Sequence, residues 1–183
     1  HSGLFSEIKM EFTKTIKLIF AIILIMQGCK ESTLENDLHS TTGSKDQFYN
    51  LNLAGVSLKV EVAALADERA KGLMFRETMG LQEGMLFIFQ TGTEQSFWMK
   101  NTRIPLDIGY FSSDGELLEL HKAKPHDLSG VPSHSKDIKF VLELNAGAYK
   151  KLGITIGTRL RIKQIAEILK KRSLSLSDYN ISP

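Results

Sequence analysis

Alternation of apolar and polar positions is clearest over Val56–Ala63, where Val56, Leu58, Val60 and Val62 alternate with Ser57, Lys59, Glu61 and Ala63. A period of two sends one set of side chains to a core and the other to solvent. The segment therefore predicts a half-buried strand after an Ala54-Gly55 turn. Met85–Phe89 (MLFIF) is an unbroken apolar run, entered through Gly84 and left through Gln90-Thr91-Gly92, the pattern of a strand covered on both faces. Ser96–Lys100 (SFWMK) is a second β-prone run rich in aromatics. After Ile104-Pro105, which disfavours helix, Leu106, Ile108 and Tyr110 alternate with Asp107, Gly109 and Phe111 in a third.

Further along, Glu116–Ala123 follows a Ser113-Asp114-Gly115 turn, a hairpin signal, and the loop Lys124–Asp137 is the longest of the chain. Ile138, Phe140, Leu142 and Leu144 then alternate with Lys139, Val141 and Glu143, and Arg159–Ile165 is expected as the closing strand. Helical signals are short: Asp67 as a cap over Glu68–Met74 with Ala70, Leu73 and Met74 turned inward, and Asn145 as the cap of a brief helix ending at Gly153. About eight short strands with two short helices define a mainly β class. The architecture expected is a small closed or partly open β-barrel rather than a parallel sheet.

The N-terminal region follows a different pattern. Residues 1–28 read as upstream sequence before Met10 plus a signal peptide, with Lys14 and Lys17 ahead of the nine-residue apolar core Leu18–Met26. That core is too short to span a bilayer as a helix. Gly28-Cys29 after it resembles the lipobox of bacterial lipoproteins, in which the cysteine carries the lipid. An uncleaved anchor with an incidental cysteine is the alternative. Residues 29–47 are polar and predict a lipid-anchored tether, 48–166 a single β-barrel domain and 167–183 a polar, loose C-terminal tail. Cys29 is the only cysteine among 183 residues, so the domain holds neither an intrachain disulfide nor a catalytic thiol. From Lys30 onward 20 Lys/Arg face 19 Asp/Glu, a balance that argues against nucleic acid as partner.

In order, VEVA (Val60–Ala63), ERAKGLMFRE (Glu68–Glu77), EGMLFIF (Glu83–Phe89), SFWMKNTRIPLDIGYF (Ser96–Phe111), DGE (Asp114–Glu116), FVLELNAG (Phe140–Gly147) and LGITIGTRL (Leu152–Leu160) resemble the domain of unknown function 192 family. The resemblance covers roughly Leu58 to Ile162, with GLMFR and FWMKNT…PLD as its most specific motifs. It implies a small, mainly β, barrel-like domain often carried on secreted or lipid-anchored proteins. It implies no reaction. The chain departs from the family at Ser133–Asp137, where relatives usually have a Tyr-x-Ser-type segment.

The motifs' polar and aromatic members, Arg76, Trp98, Lys100, Asn101, Asp107 and Glu143, are the candidate ligand-binding residues. Two readings stand for them. In one, Arg76 and Lys100 hold a small polar or anionic ligand, Asn101 hydrogen-bonds it and Trp98 forms a flat wall. In the other, Arg76 pairs with Asp107 and Lys100 with Glu143 in a closed network that ties loops to the sheet. An enzyme of hydrolase type would use Asp107 and Glu143 as a carboxylate pair, but no nucleophile motif accompanies them. His121, His126 and His134 with Asp127 form a weak zinc set, and Met74, Met85 and Met99 with Trp98 a weak copper(I) set, methionines beside apolar runs being core filler more often than ligands. The expectation is therefore a binding module without metal or cofactor. It meets the membrane through Cys29 and binds a small polar ligand or an envelope protein, a structural envelope lipoprotein being the blander possibility.

Overall fold

The computed structural model describes residues 47–182. Eight strands form in chain order: β1 (Tyr49–Leu53), β2 (Val56–Ala63), β3 (Glu83–Thr93), β4 (Ser96–Phe97), β5 (Leu106–Phe111), β6 (Leu117–Ala123), β7 (Val131–Pro132) and β8 (Ile138–Asn145). Among the described residues three α-helices, α1 (Ala66–Lys71), α2 (Ala148–Lys151) and α3 (Ile162–Lys171), and a short 3-10 helix (Ser177–Tyr179) accompany them. Six strands make one sheet in the order β1-β2-β3-β8-β5-β6, and β4 and β7 pair separately. Among the described residues β1 and β6 each have a single neighbour, so the sheet is open and the closed form of the expected barrel does not occur.

The central strands are those whose sequence is most apolar. β8 is buried at seven of its eight positions, although its alternation suggested one wet face. It lies between β3 and β5, and both its faces are covered. The sheet is antiparallel, as a non-parallel architecture requires, except for the pair β2–β3, which is parallel and connected through α1. A parallel pair needs a crossover, and residues 64–82 supply it.

Two cores result, one on each face of the sheet. On one face Leu58, Val60, Leu86, Leu142, Tyr149, Ile165 and Leu169 pack together. On the other are Leu73, Met85, Phe87, Met99, Ile108, Tyr110 and Val141. Gly109 belongs to the first face and has a packing reason: a Cβ there would lie 2.2 Å from the Tyr149 hydroxyl, which donates to the Leu142 carbonyl at 2.8 Å. Only a glycine lets that ring cross the sheet so closely.

Five local expectations are corrected. The strand expected over Arg159–Ile165 is one bridge, Glu116 to Arg159, followed directly by α3. Leu160 and Ile162 mimic alternation, but Ile162, Ile165, Ala166, Ile168 and Leu169 recur at helical spacing and the helical period wins. The segment after Lys170, expected to be loose, packs on the first core through Tyr179 and Ile181, so the packed unit runs past residue 166. Finally, α1 is capped by Glu68 rather than Asp67: its Oε2 accepts from the backbone N–H groups of Ala64 and Leu65, each at 3.0 Å. Ala70 is exposed rather than inward. Asn145 does not cap α2, because its amide instead donates to Gly80 O at 3.0 Å.

Candidate functional site

Register places one row of residues across the second face: Glu61 on β2, Met85 on β3, Glu143 on β8, Ile108 on β5 and His121 on β6 are successive cross-strand partners. Partners in a ladder project to the same side, so the three ionisable groups of this row share one face. The crossover from α1 covers the β2 end of the row. Leu73 anchors it in the core, and Phe75, in the left-handed region at φ 66°, donates its N–H to Asn101 O at 2.8 Å. That geometry turns Arg76 back over the sheet, where its guanidinium pairs with the nearly buried Glu61 carboxylate.

Beside this ion pair lies a cleft of about 100 Å³ whose apolar lining includes Tyr49, Val62, Met74 and Met85. Its opposite wall is a second ion pair, Arg172 with Glu68. Lys71, Gly72 and Met74 also form one wall of a smaller cavity, about 30 Å³, which contains Glu143, Phe97, Trp98 and Thr102. Glu143 is only 4% exposed, and burial alone pushes its carboxyl up to about 8. Desolvation disfavours the charged form, so at neutral pH this group is a carboxylic acid able to donate a hydrogen bond.

The candidate residues are divided rather than gathered. Arg76, Trp98 and Glu143 border the two adjoining cavities. Lys100 does not pair with Glu143; its ammonium sits 4.9 Å from the Trp98 ring centroid, a cation–π contact at an exposed rim. Asn101, exposed and left-handed at φ 54°, contributes its backbone carbonyl to Phe75.

Asp107 lies on the opposite face: it is 4% exposed and its Oδ2 accepts the Gly147 N–H at 2.7 Å, holding the start of α2. The expected Arg76–Asp107 pair is therefore absent, because Arg76 has taken Glu61. Nor can Asp107 and Glu143 act as a facing carboxylate pair, since the register sets Asp107 against Leu144 and Glu143 against Ile108. Sequence reasoning missed Glu61 and Glu68. The only available signal for Glu61 was its polar position within the family motif, and its partner became visible once the crossover was placed.

The histidine set also regroups. Glu119 and His121, two apart on β6, share a face, and the loop after β7 brings His134 to them. His121 Nε2 and His134 Nδ1 lie 2.8 and 2.9 Å from Glu119 Oε2. Burial raises the Glu119 carboxyl, but the backbone N–H groups of His134 and Ser135 and the two rings outweigh it and bring it down to about 2. Asp127 instead accepts from Ser129 at 2.6 Å, and neither it nor His126 joins the cluster. Of the sulfur set, Met85 and Met99 are buried core residues.

An open, mainly β sheet of six strands with a βαβ crossover defines a small mainly β domain. Residues 49–162 match the DUF192 family model, described as "Uncharacterized ACR", and the chain belongs to that family. No curated protein matches it. Among solved structures it is similar to a proposed transcription regulator from Sinorhizobium meliloti 1021, with 40% identity and TM-score 0.57 over 61% of this chain and 89% of that one. It is also similar to a protein of unknown function from Novosphingobium aromaticivorans DSM 12444, with 34% identity and TM-score 0.58 over 62% and 84% of the two chains.

Proposed function

We propose that the protein is a lipid-anchored, extracytoplasmic binding module whose β domain holds a small polar ligand at the adjoining cavities beside Arg76 and Glu143. The observation that carries this reading is the convergence, around the shared wall Lys71–Met74, of an ion-paired arginine, an exposed tryptophan and a neutral buried carboxyl group. Perturbed groups in a cleft are a physical marker of function. Glu61, Asp67 and Glu68 balance Lys71, Arg76 and Arg172 around the larger cleft. Such a lining suits a molecule that both donates and accepts hydrogen bonds better than a bare anion. At about 100 Å³ the cleft is smaller than the ~150 Å³ cavity that accommodates benzene. It takes a ligand of few heavy atoms, or one group of a larger molecule.

A second reading, docking of an envelope protein, is favoured by the large apolar side chains exposed at the same rim, Phe75 at 58% and Trp98 at 52%. The regulator description belongs to the Sinorhizobium protein, and the balanced charge of this chain speaks against nucleic acid.

The single tryptophan makes the test direct. Titration with a panel of small polar metabolites is expected to change Trp98 emission saturably, and Arg76→Gln to weaken that binding about tenfold or more, a loss of at least ~1.4 kcal/mol. Amide shifts in NMR that map away from Glu61, Arg76 and Trp98 would move the site elsewhere.

The anchor rests on Leu18–Met26 and Gly28-Cys29, which lie outside the described residues. Metabolic labelling with a fatty-acid analogue should tag the wild-type chain and not Cys29→Ser. Equal labelling of both would remove the lipoprotein from the proposal.

A further inference from the structure

The sheet edge at β6 carries a cluster that the proposed ligand site does not use. Glu119 and His121 project from the same face of that strand, and His134 arrives from the loop after β7. One ligand atom from each of the three lies within 4.8 Å of the others. We propose that Glu119 Oε2, His121 Nε2 and His134 Nδ1 form a binding site for a divalent transition-metal ion of the zinc type.

Three features favour this assignment over a simple hydrogen-bonded triad. The carboxylate is positioned before any ion arrives. Glu119 Oε1 accepts the Ser135 N–H at 2.7 Å, and Oε2 the His134 N–H at 2.9 Å, the outer support that orients a metal-binding carboxylate. His121 is also fixed: its ring meets Tyr110 edge-on, with centroids 5.3 Å apart. His134, by contrast, is 84% exposed, which leaves one solvent-facing ligand and open coordination positions facing water. Two imidazoles and one carboxylate with open positions suit Zn²⁺, Co²⁺, Ni²⁺ or Cu²⁺ rather than Mg²⁺ or Ca²⁺, which prefer all-oxygen shells.

The exchange balances without a co-reactant. An ionised carboxylate only accepts, so each ring presents an N–H to Glu119 in the metal-free state. When the ion enters, the proton on His121 Nε2 moves through solvent to Nδ1, and that on His134 Nδ1 to Nε2. Each ring then offers a lone pair to the metal, and any proton a ring carried in excess leaves to solvent.

Titration of the metal-free full chain with Co²⁺ tests this. The expected result is a saturable one-to-one visible spectrum of nitrogen and oxygen ligation, without thiolate charge transfer, bleached by Zn²⁺. Bound Zn²⁺ should raise the melting temperature, because a ligand selective for the native state must do so. His134→Ala, at an exposed ring whose loss leaves the fold intact, should weaken binding about tenfold or more, as should His121→Ala. His126→Ala, exposed and outside the cluster, should bind as wild type. Unchanged affinity in His134→Ala, a thiolate spectrum from Cys29, or no saturable spectrum would each overturn the assignment. The readout is independent of Trp98 emission, so it stands or falls separately from the ligand cleft.

Discussion

Glu143→Gln is expected to stabilise the protein at alkaline pH and to leave it nearly unchanged at pH 4. The carboxyl is raised by burial from an ordinary 4.5 to about 8, and no opposite charge offsets the desolvation. Below the unfolded value both states are protonated and the group costs nothing. As pH rises from about 4.5 to 8 the unfolded chain ionises while the folded one stays neutral, so stability falls across that window and then levels off. Each pH unit between the two values corresponds to ~1.36 kcal/mol, so the full penalty is on the order of 5 kcal/mol above pH 8. Glutamine keeps the shape and a hydrogen-bond donor but cannot titrate. The measurement is a set of denaturant melts of both proteins from pH 4 to 9, in which the two curves should diverge as pH rises. Parallel curves would mean that a cation or solvent reaches the carboxylate, and Glu143 would then no longer count as a neutral donor at the ligand site.

Legibility of the site in the sequence ended at the second dimension of the sheet. The runs Val56–Ala63, Met85–Phe89 and Leu106–Phe111 announced their own strands because each alternates or is apolar throughout, and the structure has β2, β3 and β5 there. Alternation states which residues of one strand share a face. It does not state which face of the next strand they meet. Asp107 and Glu143 therefore looked like neighbours, and only the register of Asp107 with Leu144 separates them across the sheet. The parallel pairing of β2 with β3 depends on where residues 64–82 cross, and that crossover delivers Arg76 to Glu61 instead of to Asp107. His134 stands 15 residues from Glu119 in the longest loop, and its position depends on two residues of β7 pairing with β4, too short a signal to read from sequence. Met85 and Met99, read as core filler more often than as copper ligands, are indeed buried among apolar side chains.

The C-terminal segment carries the other large effect. Four serines with Asp178 and Asn180 over Ser173–Pro183 gave it the look of a loose tail, but Leu174, Leu176, Tyr179 and Ile181 recur often enough to cover the first core. Tyr179 is 4% and Ile181 6% exposed, and the Tyr179 hydroxyl donates to the Ala64 carbonyl at 3.2 Å. The Asn180 carbonyl accepts from Lys139 Nζ at 3.1 Å, satisfying a lysine buried in β8. Removing residues 173–183 forfeits the burial of Tyr179 and Ile181, each worth ~1.5–3 kcal/mol, and the partial burial of Leu174 and Leu176 against the first core, a loss of about 4 kcal/mol or more. Against a typical domain stability of ~5–15 kcal/mol that is a large fraction, visible as a clear drop in the urea midpoint. Tyr179→Ala alone should reproduce about half of it. Arg172 must be kept in the truncated chain, because its guanidinium pairs with Glu68 and donates to Val62 O at 2.8 Å at the wall of the ligand cleft. A truncated protein that melts at the wild-type midpoint would return the segment to the status of a tail, and with it the boundary of the domain to the end of α3.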